Sequence, residues 1–469
     1  MELTLSNKIT IGNASNEVFD WCRKQLEFPN PEYAKKEQMG LWTGNIEPKI
    51  VLWERRGNDA ILPYGTKHLL RTELPSVLQS HIDNTLWEKC NSYSIDYQSH
   101  IEPFDYQQKA LNDVRCTNGV IVMPCGSGKT QTALELVARL GKRTLWLTHT
   151  HELLKQSMER ARGCFGLPED QYGTITQGKI NVGKAITFAT IQSMVNIDLK
   201  PYEEYWDVVV VDECHKAVGT PTKLMMFYKV VSSLKAVYKF GLTATPKRND
   251  GLERCMYALL GQKLVEVPEE AVAHNTVPIY VWQVQSSVYS PNMSRVLRTD
   301  GTLDYTRLID DLYHCEERNR DIATLVNQMN AGGKTCLVLS DRIEHLEILR
   351  REVGLDYTMQ IYSMSGTIKA KQARKDCLDK LRSKEIRCLF ATYQLAKEGL
   401  DIPSLDCVVF ATPKKDNISV VQSCGRVGRK APGKTAGYVI DYVDTEMGIL
   451  KNYGRARRSI YKSKKYNIT

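Results

Sequence analysis

Long apolar runs, paired cysteines and repeats are all missing from this 469-residue chain. No stretch approaches the roughly 18–20 apolar residues of a bilayer span, and about the first 25 residues carry no secretory leader pattern. A membrane partner is therefore not expected. The thirteen cysteines are scattered without one C-x-x-C pair. That spacing argues against a structural zinc and a disulfide framework, and for a reducing cytosol. Low-complexity segments are absent too. Neither charge sign dominates: 63 Lys and Arg stand against 54 Asp and Glu, a net +9 that suits a polyanionic partner but is thinly spread.

What is present is a rhythm. Short apolar strands alternate with helical patterns at 120–122, 144–147, 186–188, 208–211 and 239–243, and again at 336–339, 387–390, 407–410 and 438–440. Runs of Val, Ile and Leu without polar alternation are buried on both faces, which implies parallel sheets covered by helices. Two such series predict two α/β lobes, and the length is too great for one core. The boundaries read as 101–262 for the first lobe, 263–325 for an inter-lobe connection, 326–450 for the second lobe and 451–469 for a basic C-terminal segment. Residues 1–100 differ. They hold Trp21, Trp42, Trp53 and Trp87, four of the seven tryptophans, with Pro and Gly punctuation and no long helical pattern. This stretch is expected to be a separate small α+β module with its own core.

The sequence Met123-Pro-Cys-Gly-Ser-Gly-Lys-Thr130 follows a buried strand and opens a helix near Lys129. Gly126, Ser127 and Gly128 can wrap backbone N–H groups round a phosphate, and the helix start adds its positive dipole end. Lys129 can reach the β- and γ-phosphates, and the Thr130 hydroxyl can bind Mg²⁺. Met123 stands where the strict motif has its first Gly. At 208–215, Val-Val-Val-Val-Asp-Glu-Cys-His puts Asp212 on the metal and Glu213 beside the attacking water. A Gly-rich turn or a strand-end acid pair alone is commonly inert. Together they are the two halves of one nucleotide site and imply an ATPase using ATP and Mg²⁺.

At this point the chain resembles the superfamily-two helicases. Asp212-Glu213-Cys214-His215 is the D-E-x-H form of their second motif, and the phosphate loop is also theirs. The resemblance implies tandem RecA-like lobes and predicts further motifs. Phe104-Asp-Tyr-Gln107 looks like the glutamine element, in which Gln107 would read adenine. Residues 147–156, with Thr148 and Gln156, and residues 189–193, with Thr190 and Gln192, resemble elements that touch the nucleic-acid backbone. Gly241-Leu-Thr-Ala-Thr-Pro246 resembles the coupling motif, through Thr243, Ala244 and Thr245. Residues 391–403 resemble the fifth motif, through Thr392, Gly399 and Asp401. Residues 422–429 match Q-x-x-G-R-x-G-R, which implies catalytic roles for Gln422, Arg426 and Arg429. The two arginines are three apart and are expected on one side of a helix start, reaching the γ-phosphate. Such a site is complete only with both lobes, so hydrolysis would drive motion along a strand held by its backbone.

The branch is resembled more finely. Lys247-Arg248-Asn249-Asp250 follows the coupling motif where XPB-type helicases carry Arg-Glu-Asp, so Arg248 and Asp250 match and Asn249 departs. Asn30-Pro31-Glu-Tyr33 and Gly40-Leu-Trp42-Thr-Gly44-Asn45, with Ile61 to Leu69, resemble the leading domain of UvsW-like enzymes. The implied host is a bacterial or phage-infected cell, and the implied partner is forked, junction or single-stranded DNA bound by a monomer, with protein partners open. Lys35, Lys36, Arg55 and Arg56 are candidates to grip a duplex arm, or are simply a solvated face. Lys451 to Tyr466 holds seven Lys and Arg and no acid; it is either a nucleic-acid tail or a basic helix packed on the second lobe. Two alternatives to a DNA helicase stay open at this stage: an RNA helicase, and a motor subunit of a restriction or defence assembly.

Overall fold

The computed structural model of the chain describes residues 2–74, 90, 92–124, 126–246, 251–354, 358–360, 368–394, 402 and 404–469. Trp87, Arg248, Gly399 and Asp401 lie outside the described residues. The chain divides into two compact units, Met1–Ala271 and Val272–Thr469.

The first unit is built on an eight-stranded sheet. Its strands, in spatial order, are Lys179–Asn181, Tyr172–Thr176, Ile186–Thr190, Thr144–Thr148, Val208–Val211, Tyr238–Thr243, Asn118–Val122 and Lys263–Glu266. All pairings are parallel except the hairpin at 172–181. The four valines of Val208–Val211 are all buried, as a central parallel strand requires. Because Tyr238–Thr243 runs between Asn118–Val122 and Val208–Val211, three carboxyl ends come side by side: Val122, Thr243 and Val211. The carboxyl edge of a parallel sheet is where α/β folds bind ligands.

Residues 2–63 form a four-stranded antiparallel sheet, Glu2–Leu5, Lys8–Gly12, Asp59–Pro63 and Glu54–Arg56, and a two-stranded one, Glu27–Pro29 with Lys49–Val51. This is the small α+β region. Its helix Asn16–Leu26, part of the expected α+β character, buries Val18, Phe19, Cys22 and Leu26 along one stripe. One expectation is corrected, that of a separate core: Leu3, Ile9, Phe19, Leu62 and Leu70 belong to one apolar cluster with Val120, Leu147, Val211 and Leu259 of the large sheet and its helices. Gly65 shows how close the approach is, since a Cβ there would lie 2.5 Å from the Ala258 carbonyl oxygen and from the Gly261 nitrogen.

The second unit has seven parallel strands in the order Thr358–Gln360, Cys388–Thr392, Cys336–Ser340, Cys407–Phe410, Gly437–Asp444, Ile279–Ser286 and Asn467–Ile468. Residues 279–286, expected within a connection, are thus a strand of this sheet, alternating buried and exposed side chains near its edge. The basic segment is a helix, Gly448–Ser463, packed on the sheet through Leu450, Gly454, Arg457 and Tyr461. Of its two open readings, the packed helix is the one observed.

Two buried ion pairs tie this unit together. Arg318 Nε and Nη2 donate to the two carboxylate oxygens of Asp444 at 2.7 and 3.0 Å, and Nη2 also reaches the Ala411 carbonyl at 2.8 Å. Arg457 Nε donates to Asp441 Oδ1 at 2.8 Å, while Tyr461 and Gln283 donate to Asp441 Oδ2, each at 3.0 Å. Beside the first pair, His345 bridges Asn319 Oδ1 and Ser340 Oγ at 3.0 Å each. Burial holds this imidazole well below its usual pKa, with the Arg318 charge acting the same way, so it is neutral.

Candidate functional site

The phosphate loop sits after Val122 and ahead of the helix Lys129–Leu140. Gly126 and Gly128 have φ of +82° and +75°, a region that L side chains avoid. At Gly128 the crowding is also steric, for a Cβ would lie 2.6 Å from Gln107 Nε2. Gln107 is buried in the helix Asp105–Asp113, and its amide is engaged at both ends. Nε2 donates to the Ser127 carbonyl at 2.8 Å, and Oε1 accepts from the Phe104 N–H at 3.0 Å. The Tyr106 hydroxyl donates to the same Ser127 carbonyl at 2.9 Å. Gln107 therefore braces the loop, a role the sequence reading did not assign. The Ser127 hydroxyl is buried without a hydrogen-bond partner. A buried donor of this kind, two left-handed glycines and a helix start fit a polyphosphate.

Asp212 and Glu213 follow Val211 on the same sheet edge. Glu213 has φ +49°, and its N–H donates to Asp212 Oδ1 at 2.9 Å. Burial, then the neighbouring Glu213 charge, pushes the Asp212 carboxyl up to about 6. For Glu213 burial works in the same upward sense, but it is outweighed by Lys129, followed by His215 and Lys216, and the net shift is downward. Lys129 acts in that sense on both acids, so one ammonium balances a buried acid pair. Thr130 is half-buried, one residue into the same helix.

His215 Nδ1 lies 3.4 Å from Glu213 Oε2 and 2.9 Å from Thr243 Oγ1. Thr243 Oγ1 also accepts the Thr245 N–H at 3.1 Å. The acid pair and the expected coupling element are thus joined by one buried imidazole, because their strands are neighbours. Ala244 and Thr245 are half-buried at this edge.

A cleft of about 360 Å³ opens beside it, lined by His149, Thr150, His151, Thr176, Lys179, Thr190, Gln192 and Ser193. The expected backbone-contacting residues divide here. Gln192 is exposed and Thr190 lines the cleft, where its hydroxyl caps the helix Ile191–Val195. Thr148 is fully buried, with its hydroxyl turned onto the Thr150 carbonyl at 3.2 Å, and Gln156 lies along the helix His151–Cys164, outside the residues lining the cleft. His149 and His151 take the lining places instead. Burial, with Lys223 and Lys216 nearby, lowers His149 to about 4, so it is neutral near pH 7.

In the second unit Gln422 and Arg426 stand on the helix Asn417–Val427, capped by Asp416. The expectation of a helix start is corrected: Arg426 occupies the last turn, and Arg429 lies past the end. The helix stops because Val277 N–H takes the Gly428 carbonyl at 2.9 Å and Arg429 pairs with Thr276 in a β-bridge. Arg426 is 9% exposed, with its Nε buried. Thr392 ends the strand Cys388–Thr392. Arg318 and Arg457 went unassigned in the sequence, yet a signal existed. Arg318 shares a helix face with Ile322 and Val326, and Arg457 one with Leu450, Gly454 and Tyr461. A charge in line with an apolar stripe implies a buried partner.

Residues 100–248 match the family described as Type III restriction enzyme, res subunit, and residues 317–431 match the helicase conserved C-terminal domain. A mimivirus protein with the provisional name ATP-dependent RNA helicase is 25% identical over 354 residues, 75% of this chain. The chain spans 64% of that relative's length. A provisionally named helicase of Escherichia phage T5 is 26% identical over 444 residues, covering 94% of this chain and 90% of its own. The DNA 3'-5' translocase XPB2 of Sulfurisphaera tokodaii is 24% identical over 359 residues, 70% of this chain and 79% of its own. The helicase domain of Pyrococcus furiosus Hef has the same fold, with a TM-score of 0.51 at 18% identity over 79% of this chain and 100% of that one. No helix among the described residues is long and apolar enough to cross a membrane. With both halves of the motor matched, the chain belongs to the superfamily-two helicases, and its relatives include an XPB translocase.

Proposed function

We propose that this protein is an ATP-dependent DNA helicase or translocase that unwinds or branch-migrates forked and junction DNA, as repair, recombination or replication requires. The observation that carries the reading is the shared carboxyl edge of the first sheet. The phosphate loop, the acid pair, Thr243 and the cleft at Thr190 and Gln192 all open along it, so the chemistry and the backbone track use one scaffold. When bound, Mg²⁺ would neutralise phosphate charge. Thr130 and Asp212 would hold it, Lys129 would orient the phosphates, and Glu213 would accept the proton of the attacking water. Gln422, Arg426 and Arg429 would stabilise charge on the γ-phosphate, a contribution of about 10³–10⁵ in rate for an arginine finger. The name of the Sulfurisphaera relative, a DNA translocase, supports DNA.

A second reading, a motor subunit of a restriction-type assembly, is favoured by the description of the family that matches residues 100–248. The mimivirus relative's name raises RNA. One experiment separates them: unwinding of fork, three-way, four-way and displacement-loop substrates in DNA and RNA versions. Fork or junction unwinding in DNA only is the expected result. Equal stimulation by RNA would remove DNA specificity, and ATPase without strand separation would favour the assembly motor.

A further inference from the structure

Away from the nucleotide edge, a second and larger cleft of about 650 Å³ lies where the N-terminal sheet meets the first lobe. The seam is fixed, since Asn7 Nδ2 donates to the Ser232 carbonyl at 2.5 Å and the apolar core runs beneath it. Four cations line the cleft: Lys8 and Arg56 from the N-terminal strands, Lys200 and Lys229 from the lobe. Two acids also line it, and only Glu203 is paired with a cation outside the cleft. Asp198 accepts the Lys200 backbone N–H at 3.0 Å, and Glu203 pairs with Lys235 at 3.1 Å. Arg56 pairs with Glu54, but Lys8, Lys200 and Lys229 have no salt-bridge partner among the described residues. The outcome is three ammonium groups converging on one concave surface, with hydroxyls of Ser6, Thr10 and Ser233 between them.

Such a surface takes an anion with several charges. Its form says which. The lining holds no aromatic side chain, only Ile61, Ile197 and Leu199 as apolar members. Single strands held without sequence preference are usually stacked on aromatic rings, whereas a duplex hides its bases and offers phosphates alone. Continuity points the same way, because Ile197 lines both this cleft and the one at Thr190 and Gln192. From the three unpaired lysines and this adjacency we infer that the cleft binds the phosphate backbone of a nucleic-acid duplex arm next to the strand track. The inference rests on the reading of the protein as a motor on branched DNA. It moves the duplex grip from Lys35, Lys36 and Arg55 to Lys8, Lys200 and Lys229. Arg55 is itself stacked over the Phe19 ring at 4.1 Å.

The test uses the full chain carrying Lys8→Gln, Lys200→Gln and Lys229→Gln together, beside a control with Lys24→Gln, Lys109→Gln and Lys384→Gln. Affinity without nucleotide is measured against salt for a forked DNA, a plain duplex and a single strand. Each phosphate contact contributes about 0.9 to the salt slope on duplex DNA. The cleft variant should therefore lose about 2–3 from its slope on the fork and on the plain duplex, and on the order of 100-fold in affinity at about 0.1 M salt. Its single-strand slope and strand-stimulated ATPase should match the control. Equal slopes for the two variants on every substrate would overturn the inference, and a loss confined to the single strand would replace a duplex arm by a strand. A wild-type protein without preference for forks over plain duplex would defeat the branched-DNA reading alone, because the plain-duplex arm still reads the cleft. The three lysines are exposed or half-buried, so thermal unfolding should be unchanged and will show that folding is not the cause.

Discussion

The two units bury charge for different ends. In Met1–Ala271 one buried acid, Asp212, lies at the chemistry beside Glu213 and Lys129, and burial pushes it up to about 6. In Val272–Thr469 two buried ion pairs, Arg318 with Asp444 and Arg457 with Asp441, are 0–1% exposed and hydrogen-bonded, though Arg318 Nη1 has no hydrogen-bond partner. A buried pair contributes little net stability but makes the loss of one partner severe. The second unit has thus fixed its helices Glu316–Ala331 and Gly448–Ser463 to the sheet with pairs that tolerate no half-measures. The first unit instead sets an ammonium, Lys129, against its acid pair at the sheet's carboxyl edge.

If that contrast holds, variants should fall into two groups, and the largest effects belong to the first unit's chemistry. Lys129→Ala should abolish ATP binding, while Glu213→Gln should bind ATP and hydrolyse it about 10²–10⁴ times more slowly. Nucleotide affinity and turnover, measured on both, decide this; normal turnover in Glu213→Gln would remove Glu213 from the mechanism. Arg429→Ala is the second unit's one expected entry in the same group. Stimulated hydrolysis should fall by about 10³ or more with DNA affinity unchanged in the absence of nucleotide.

The next effect is structural. Arg318→Ala should destabilise the second unit by about 3–5 kcal/mol, because Asp444 is left buried and charged. Chemical denaturation reads it, and a loss below about 1 kcal/mol would show that water reaches the pair. In the first unit, Gly65→Ala should cost about 1–3 kcal/mol through overpacking against Ala258 and Gly261. Gly57→Ala, at φ +59° with nothing within 4 Å, should cost about 1 kcal/mol from the backbone alone. Equal losses would separate the N-terminal sheet from the lobe's core.

The smallest effect is one of pH. His345 is held neutral in the fold, so below about pH 6.5 the unfolded chain binds the extra proton. The stabilisation is complete above that pH and is lost as pH falls, by up to about 1.4 kcal/mol per unit. His345→Gln should flatten the acid side of the second unit's unfolding profile, and an unchanged profile would place the sensitivity elsewhere.

Much of this was legible because parallel strands buried on both faces write themselves as Val, Ile and Leu. The strands beginning near 118, 144, 186, 208, 238, 336, 388, 407 and 437 fall where the apolar runs do. The phosphate loop and the acid pair were legible for a related reason, since glycine at positive φ and an acid after a strand leave local marks. What depended on distant contacts was not. Neither the core shared by Leu62 and Leu259 nor the end of the helix at Val427 has a local signature. Strand Ile279–Ser286 lies near a sheet edge with Tyr280 and Trp282 exposed, so its alternation hid it among loop residues. The cationic cleft joins residues more than 200 apart in sequence, and no spacing rule could have gathered Lys8 with Lys229.

The carbonyl of Ser127 has a further consequence. It accepts from both Gln107 and Tyr106, so its two lone pairs are taken. Rotating the peptide between Ser127 and Gly128 would break both bonds at once and aim an oxygen at the phosphates. The loop is thereby braced against a peptide flip at this bond before any nucleotide arrives. An anion then meets a finished receptor and does not have to reorganise one, which leaves more of its binding energy for moving the rest of the molecule.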